Sequence, residues 1–308
     1  MERKQIPFAG AGQVYWGTPW GTLGVVAQRA LAPLGYDVTF FVEMWGADNP
    51  RYVRDRKADL GAHGFTGVRN MVEGKGPYRD EEACPGLRLI AQICEPAWLA
   101  IAVRAESGIT DMRQIAERKL PIRVKTGRAG DEMNMVWGYF GLSLAQIEAW
   151  GGQFLSMPGP GRAVTPWVQS GEFDVIVDSI YAAYTPEHRH WWEATVLYDL
   201  RFLPIPEDLA GQLCAAGHYE EVSFIPHMLM RGIREDIPSV QRLPTVFYTR
   251  DDVDEGFIYE VTKALDDGRH LFRQTHMPYS YDPKFVAKPR SVPLHPGAER
   301  YYRDVGYL

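Results

Sequence analysis

"AGAGQVYWGTPWGTLGVV" spans residues 9–26, between a short apolar run and an amphipathic stretch. It reads as strand, glycine-rich turn and helix, with the strand at 5–9 and the helix at 20–34. Glycines at such a corner either supply φ > 0 for a tight turn or let the backbone approach a ligand. The segment fails the dinucleotide fingerprint G-x-G-x-x-G: Gly10 and Gly12 fit, but residue 15 is tyrosine. No acid follows where a ribose contact belongs, and no Gly-Lys-Ser/Thr completes a Walker A loop. What remains is a turn feeding a helix that opens on Thr18, Pro19 and Thr22. Backbone N–H groups and the helix dipole favour a carboxylate there, the dipole by roughly 0.3–1 kcal/mol. A tight turn has no need of Tyr15, Trp16 and Trp20, which read instead as the wall of a pocket.

Beyond this corner, strand-like and helix-like segments alternate. A strand fits 36–43, a polar helix 47–57 and a short strand 58–62. "LRLIAQIC", "WLAIAVRA" and "PIRVKTG" read as strands, with "TDMRQIAERK" a helix between the last two. Residues 131–150 carry a helical pattern opened by Asp131 and Glu132, acids suited to a positive helix N-terminus. "GEFDVIVDSI" and "VLYDLRFLPI" read as strands and 254–276 as a late helix. This alternation predicts an α/β fold with mostly parallel sheets. A second strand–glycine–helix corner, "VKTGRAGDEMN" at 124–134, predicts two lobes. The expected division is 1–97 with 205–308 as lobe one, and 98–204 as an inserted lobe two. No internal repeat is visible.

The 308 residues suffice for two globular lobes, and 45% hydrophobic with 23% charged residues is ordinary globular composition. A formal net charge of −6 gives no footprint for nucleic acid or an anionic membrane. No apolar run is long enough to span a bilayer. Cys84, Cys94 and Cys214 lack CxxC spacing, and an odd count argues against a disulfide framework, so they read as buried thiols. "MERKQIPFAG" contains no apolar signal region. The chain is therefore expected to be cytoplasmic if Met1 is the native start, and periplasmic if a signal has been removed.

In the second corner Arg128 offers a planar cationic fork for a carboxylate, with Lys125 and Thr126 as further donors; a solvated surface loop is the alternative. "ADLGAHGFTG" places His63 and Thr66 just after a short strand, where a lone histidine is more often structural than catalytic. "DSIYAAYTPEHRHWWE" holds His188 and His190 with Glu187 and Glu193, but no third ligand has metal-site spacing, and no metal is expected. No G-x-S-x-G elbow or H-E-x-x-H motif occurs, and no cofactor is expected.

The C-terminal "VAKPRSVPLHPGAERYYRDVGYL" (286–308) resembles the ending of the TAXI family, the substrate-binding proteins of tripartite ATP-independent periplasmic (TRAP) transporters. "GADNPRYVRDRKADLGAHGFTG", "EPAWLAIAVRAESGITDMRQI", "DLRFLPIPEDL" and "GFIYEVTKALDD" are similar to family segments in the same order. The resemblance implies a type II periplasmic-binding-protein fold: two lobes joined by crossing hinge strands, with a ligand closed between them. It implies that Tyr15, Trp16, Thr18, Thr22, Trp45, His63 and Thr66 line lobe one. Lys125, Thr126, Arg128, Gly130, Asp131, Ser179 and Tyr181 would line lobe two. Family ligands are small carboxylates, and the implied partners are TRAP membrane permease subunits. Two departures stand out. The first corner carries Trp16, Pro19 and Trp20 where the family runs Gly and Thr, and "RAGDE" places Asp131 where the family ends in Ser-Gly-Thr. They suggest a ligand with a flat or aromatic part.

Two functions follow. One is a solute-binding protein without chemistry, holding a small organic acid through Arg128 and the two helix N-termini. The other is a cytoplasmic lyase of the same fold, a decarboxylase or dehydratase acting on a cyclic or aromatic acid. In the lyase, His63 and Asp131 would exchange protons.

Overall fold

The computed structural model describes residues 4–10, 19–41, 46–127, 130–156 and 165–308. The chain divides into two compact units, Met1–Glu95 with Leu243–Leu308, and Pro96–Arg242. The first unit opens with β1 (Lys4–Ala9), α1 (Pro19–Leu31), β2 (Tyr36–Phe40), α2 (Asp48–Arg54), β3 (Leu60–Gly64), α3 (Phe65–Glu73) and β4 (Leu87–Ile93). The second contains β5 (Ala97–Arg104), α4 (Arg113–Glu117), β6 (Arg123–Thr126), α5 (Asp131–Tyr139), α6 (Leu144–Ala149), β7 (Gln153–Ser156) and α7 (Thr165–Ser170). It continues with β8 (Val175–Tyr181), α8 (His190–Leu197), β9 (Leu200–Leu203), α9 (Glu207–Ala215), β10 (Tyr219–Ile225) and β11 (Ile237–Arg242). The chain then returns to the first unit with β12 (Thr245–Arg250), α10 (Glu255–Asp267) and α11 (Pro296–Asp304).

Among the described residues the first unit forms a five-stranded sheet in the order β2-β1-β3-β12-β4. β1 is parallel to β2 and β3, while β12 runs antiparallel between β3 and β4. On one face Ile6, Phe8, Ile90 and Phe247 meet Leu23, Val26 and Ala27 of α1 and Ile258, Val261 and Leu265 of α10. These helical positions recur every three or four residues, the spacing that turns one stripe of a helix towards a sheet. On the other face Ala9, Leu89 and Tyr248 pack with Val53, Phe65, Val68 and Met71.

The C-terminal segment closes this unit. Leu89 N–H donates to the Pro293 carbonyl at 2.9 Å and His295 N–H donates to the Leu89 carbonyl at 2.8 Å, extending the sheet edge. The His295 ring then caps α11: Nδ1 accepts from Gly297 N–H at 3.2 Å, so Nε2 carries the proton it donates to the Val253 carbonyl at 3.1 Å. Tyr302 Oη donates to the Ile90 carbonyl at 2.9 Å and Tyr301 Oη to Asp266 at 2.7 Å. Only glycine fits at 297, where a Cβ would stand 2.2 Å from the Glu255 carbonyl oxygen of α10.

The second unit forms a seven-stranded sheet among the described residues, ordered β10-β11-β5-β8-β6-β7 with β9 also pairing β5. β6 is parallel to β7 and β8, and β5 is antiparallel to β8. The run β7-β6-β8-β5 therefore repeats the wiring of β2-β1-β3-β12. No sequence repeat betrays this, because the wiring is a matter of strand order and not of residue identity.

Several expectations shift. The return to the first unit comes at Leu243 and not near 205: β9 and β11 hydrogen-bond to β5, and Leu209 and Leu213 of α9 join the second unit's core. The helix expected over 131–150 breaks at Gly141, whose φ of 68° ends one helix before Ser143 caps α6 through Gln146 N–H. The strand expected at 196–205 begins only at Leu200, since α8 occupies His190–Leu197. The late helix stops at Asp267 and continues as a 3-10 helix over Gly268–Gln274. The three cysteines are half-buried thiols and not fully buried ones, and burial raises the Cys84 and Cys214 pKa values. Among the described residues no helix is long and apolar enough to cross a membrane.

Candidate functional site

In an open α/β sheet, ligands are held outside the carboxyl ends of the strands where the strand order reverses. The first unit has that point between β1 and β3; the second has it between β6 and β8. Each middle strand is followed by a helix, α1 after β1 and α5 after β6, and both corners of the sequence fall there, with 11–18 and 128–129 outside the described residues.

At the first switch point, Trp20 from the start of α1 stacks on His63 at the end of β3, with centroids 4.5 Å apart and planes 18° from parallel. Two glycines make room for this pair. A Cβ on Gly67 would stand 2.2 Å from the His63 ring, and one on Gly46 would stand 2.6 Å from the Trp20 indole. His63 Nδ1 lies 3.1 Å from the Gly64 carbonyl. Burial lowers the His63 pKa, with the Gly64 and Gly46 carbonyls pulling the other way, so the ring is neutral at pH 7. Thr22, nearly buried in the first turn of α1, has its Oγ1 3.3 Å from Nε2 and 3.5 Å from Nδ1 of His276. Thr66 follows in the first turn of α3, half-buried.

At the second switch point, Gly130 takes φ 94° ahead of α5, and Asp131 opens that helix exposed to solvent. Thr126 and Ser179 are fully buried. Ser179 N–H donates to Asp178 Oδ1 at 2.7 Å, and its carbonyl accepts from Trp191 Nε1 at 2.8 Å. Tyr181 is buried; its hydroxyl accepts from Arg242, whose guanidinium lies 5.5 Å from the ring centroid. One strand further out, Tyr219 pairs with Arg242 in the β10–β11 ladder and donates its hydroxyl to Glu132 of α5.

Lys125 departs from its expected role. Its side chain is buried, with Nζ donating to Gln153 Oε1 at 2.9 Å and standing 4.8 Å from the Trp167 ring centroid. Gln153 pairs with Arg123, two residues back along β6, so the ammonium turns away from the carboxyl end. Desolvation lowers its pKa. Lys125 is a structural cation between β7 and α7.

Behind Ser179, Asp178 meets two buried imidazoles, with His188 Nε2 at 3.9 Å and His190 Nε2 at 3.5 Å. Among the described residues no group of three or more His, Cys, Asp or Glu side chains is placed to hold a metal ion.

The structure thus joins His63 to Trp20, and gathers Thr126, Gly130, Asp131, Ser179 and Tyr181 at the ends of β6 and β8. Tyr15, Trp16, Thr18, Trp45 and Arg128 lie outside the described residues. His276, Tyr219 and Arg242 were missed; none stands in a motif, and each comes from a part of the chain far from its switch point in sequence.

Residues 193–306 match the model of the NMT1-like family, a little over a third of the chain. Among solved structures, PhnD1 of Prochlorococcus marinus (MIT 9301), in complex with methylphosphonate, is 12% identical with a TM-score of 0.51. That match covers 100% of this chain and 99% of the other. The periplasmic aliphatic sulphonate binding protein SsuA of Escherichia coli is 13% identical over 89% of this chain and 70% of its own, with a TM-score of 0.47. The fold is that of the periplasmic binding proteins. No curated protein matches the sequence.

Proposed function

We propose that this chain is a solute-binding protein that captures a small organic anion. The repeated wiring carries this reading. It gives each unit a point of strand-order reversal whose middle strand is followed by a helix, the place where open α/β sheets hold ligands. A carboxylate with a flat part fits best, because Trp20 and His63 offer a stacked aromatic surface and a neutral imidazole. In this role the protein would work in the periplasm and deliver its ligand to a membrane permease, of the TRAP type if the C-terminal resemblance extends to function.

The lyase reading would use His63 and Asp131 as proton carriers. It draws less support, since the His63 ring is packed between Trp20 and Gly67. One experiment separates the two. The protein is titrated calorimetrically with succinate, L-glutamate, benzoate, phenylacetate, methylphosphonate and ethanesulfonate, and each incubated acid is then weighed by mass spectrometry. Saturable binding with unchanged mass is the expected result. Loss of carbon dioxide or water from a bound acid would replace binding with catalysis.

A further inference from the structure

β10 is the outer strand of the second sheet, paired on one side only, with β11. A proline shows which of its backbone groups point outward. Pro238 of β11 has no N–H, and its carbonyl accepts from Ile205 N–H at 2.9 Å, just past β9 on the side of β5. The Pro238 backbone is therefore turned away from β10. Phe224 stands opposite Pro238 in the ladder, and Val222 stands opposite Val240 two residues along. In an antiparallel pair, residues alternate between exchanging bonds with the partner and pointing away from it. The N–H and C=O groups of Val222 and Phe224 thus point to the outer edge, where they have no hydrogen-bond partner among the described residues.

Sheet edges are ordinarily blunted by charge, proline, a bulge or a covering segment. The β4 edge of the first sheet is covered: Cys94 N–H donates to the Ser280 carbonyl at 3.0 Å and Gln92 N–H to the Val286 carbonyl at 2.9 Å. In β10 the guards all stand at the start, where the ladder bulges between Tyr219 and Glu221 and the two acids Glu220 and Glu221 lie. Residues 222–225 carry neither charge nor proline. The side chains of Val222 and Phe224 are 52% and 50% exposed, and their spacing of two puts them on one face of the strand. An apolar stretch with outward backbone groups is a template for a further strand.

We propose that a second copy of this chain fills this edge, β10 pairing antiparallel with β10 across a two-fold axis at Ser223. The edge is its own complement, as a two-fold association requires. Val222 of each copy meets Phe224 of the other in a hydrogen-bonded pair, so four outward backbone bonds close and a β-branched residue lies beside an aromatic one. Charge and proline select this axis over its neighbours. With the axis at Ser223, each Glu221 lies opposite Ile225, and the two Glu221 residues stand four positions apart, about 13 Å along the strands. That exceeds the screening length of about 8 Å at physiological ionic strength. An axis at Val222 halves the separation, and one at Glu221 sets acid against acid. An axis at Phe224 faces Val222 with Pro226, which has no N–H to give.

The proposal stands apart from the solute-binding reading, because β11 and β5 separate β10 from β8 and the second switch point. Sedimentation equilibrium of the full chain over a concentration series tests it, with V222K and S223C alongside. The parent's mass is expected to rise with concentration from 34.9 kDa towards twice that value. V222K puts an edge lysine at an exposed position, so it keeps the parent's circular dichroism and weakens association by about tenfold or more. At the axis the two Ser223 residues form a non-hydrogen-bonded pair with Cα atoms about 4.5 Å apart, within disulfide reach. S223C is therefore expected to give a disulfide-linked dimer with oxidised glutathione, beyond any that the parent's three free cysteines give. A parent that stays at 34.9 kDa at the highest concentration overturns the proposal. So does V222K associating as tightly as the parent, or S223C cross-linking no more than the parent.

Discussion

The indole of Trp20 lies 4.5 Å from the imidazole of His63, almost parallel to it, joining the first turn of α1 to the last residues of β3. Those elements flank the point where the strand order of the first sheet reverses. The stack is thus both a structural clasp and the aromatic surface offered there. Gly67 makes room for the imidazole and Gly46 for the indole.

Replacing Gly67 by Ala should therefore displace His63. The added Cβ would stand 2.2 Å from a ring that Trp20 holds in place. Urea unfolding is expected to show destabilisation of about 1–3 kcal/mol from overpacking, outweighing alanine's better helix propensity. A stability equal to the parent's would mean that the ring rotates away at little cost.

Acidification should destabilise the protein well before its carboxylates titrate. His63, His276 and His295 all have pKa values lowered by burial. The unfolded chain then binds more protons than the folded one as pH falls through the ordinary histidine range near 6.5. Their stabilisation is complete above that value and is lost progressively as pH falls towards the lowered folded values. The urea midpoint should be lower at pH 5.5 than at 7.5, and H63F should shrink the difference.

Lys125→Met should leave solute affinity unchanged. The ammonium serves Gln153 and the Trp167 ring and not the carboxyl end of β6. A buried cation replaced by an apolar chain of similar length often costs little, so the stability change should stay within about 1 kcal/mol. A tenfold loss in calorimetric affinity would return Lys125 to the binding residues.

Gly297→Ala should be the most damaging of these substitutions. Its Cβ would meet backbone, the Glu255 carbonyl oxygen, at 2.2 Å, and a helix backbone cannot rotate aside as a side chain can. Loss of the α10–α11 contact would also withdraw Tyr302 from the Ile90 carbonyl. A fall of about 3 kcal/mol or more, or failure to fold, is expected from urea melts and circular dichroism.

The strands and helices that flank the two corners were legible because strand periodicity and helix-start residues are local signals, read within a dozen residues. The C-terminal segment drew notice only through its resemblance to a family's ending, and the structure gives its pattern physical content. His295 caps α11, Gly297 admits α10, and Tyr301 and Tyr302 bond to Asp266 and Ile90. Lys125 was misread because its place on β6 is local information, whereas the direction of its ammonium depends on Gln153 and Trp167 from later elements. The unit boundary near 205 was misplaced for a related reason. Nothing in "DLRFLPIPEDL" says that its strand will pair with β5 and not with the first sheet.

The sequence by itself determined the α/β alternation and the strands and helices on either side of the two corners, since each depends on backbone conformation and side-chain periodicity over a short span. Tertiary structure alone decided which residues meet at those corners. Strand order brings β3 beside β1 and carries His63 to Trp20; the return of the chain after β11 carries His276 to Thr22, 254 residues away. Such contacts are set by hydrogen-bond pairing between strands and by burial of whole faces, and no short window of sequence contains them.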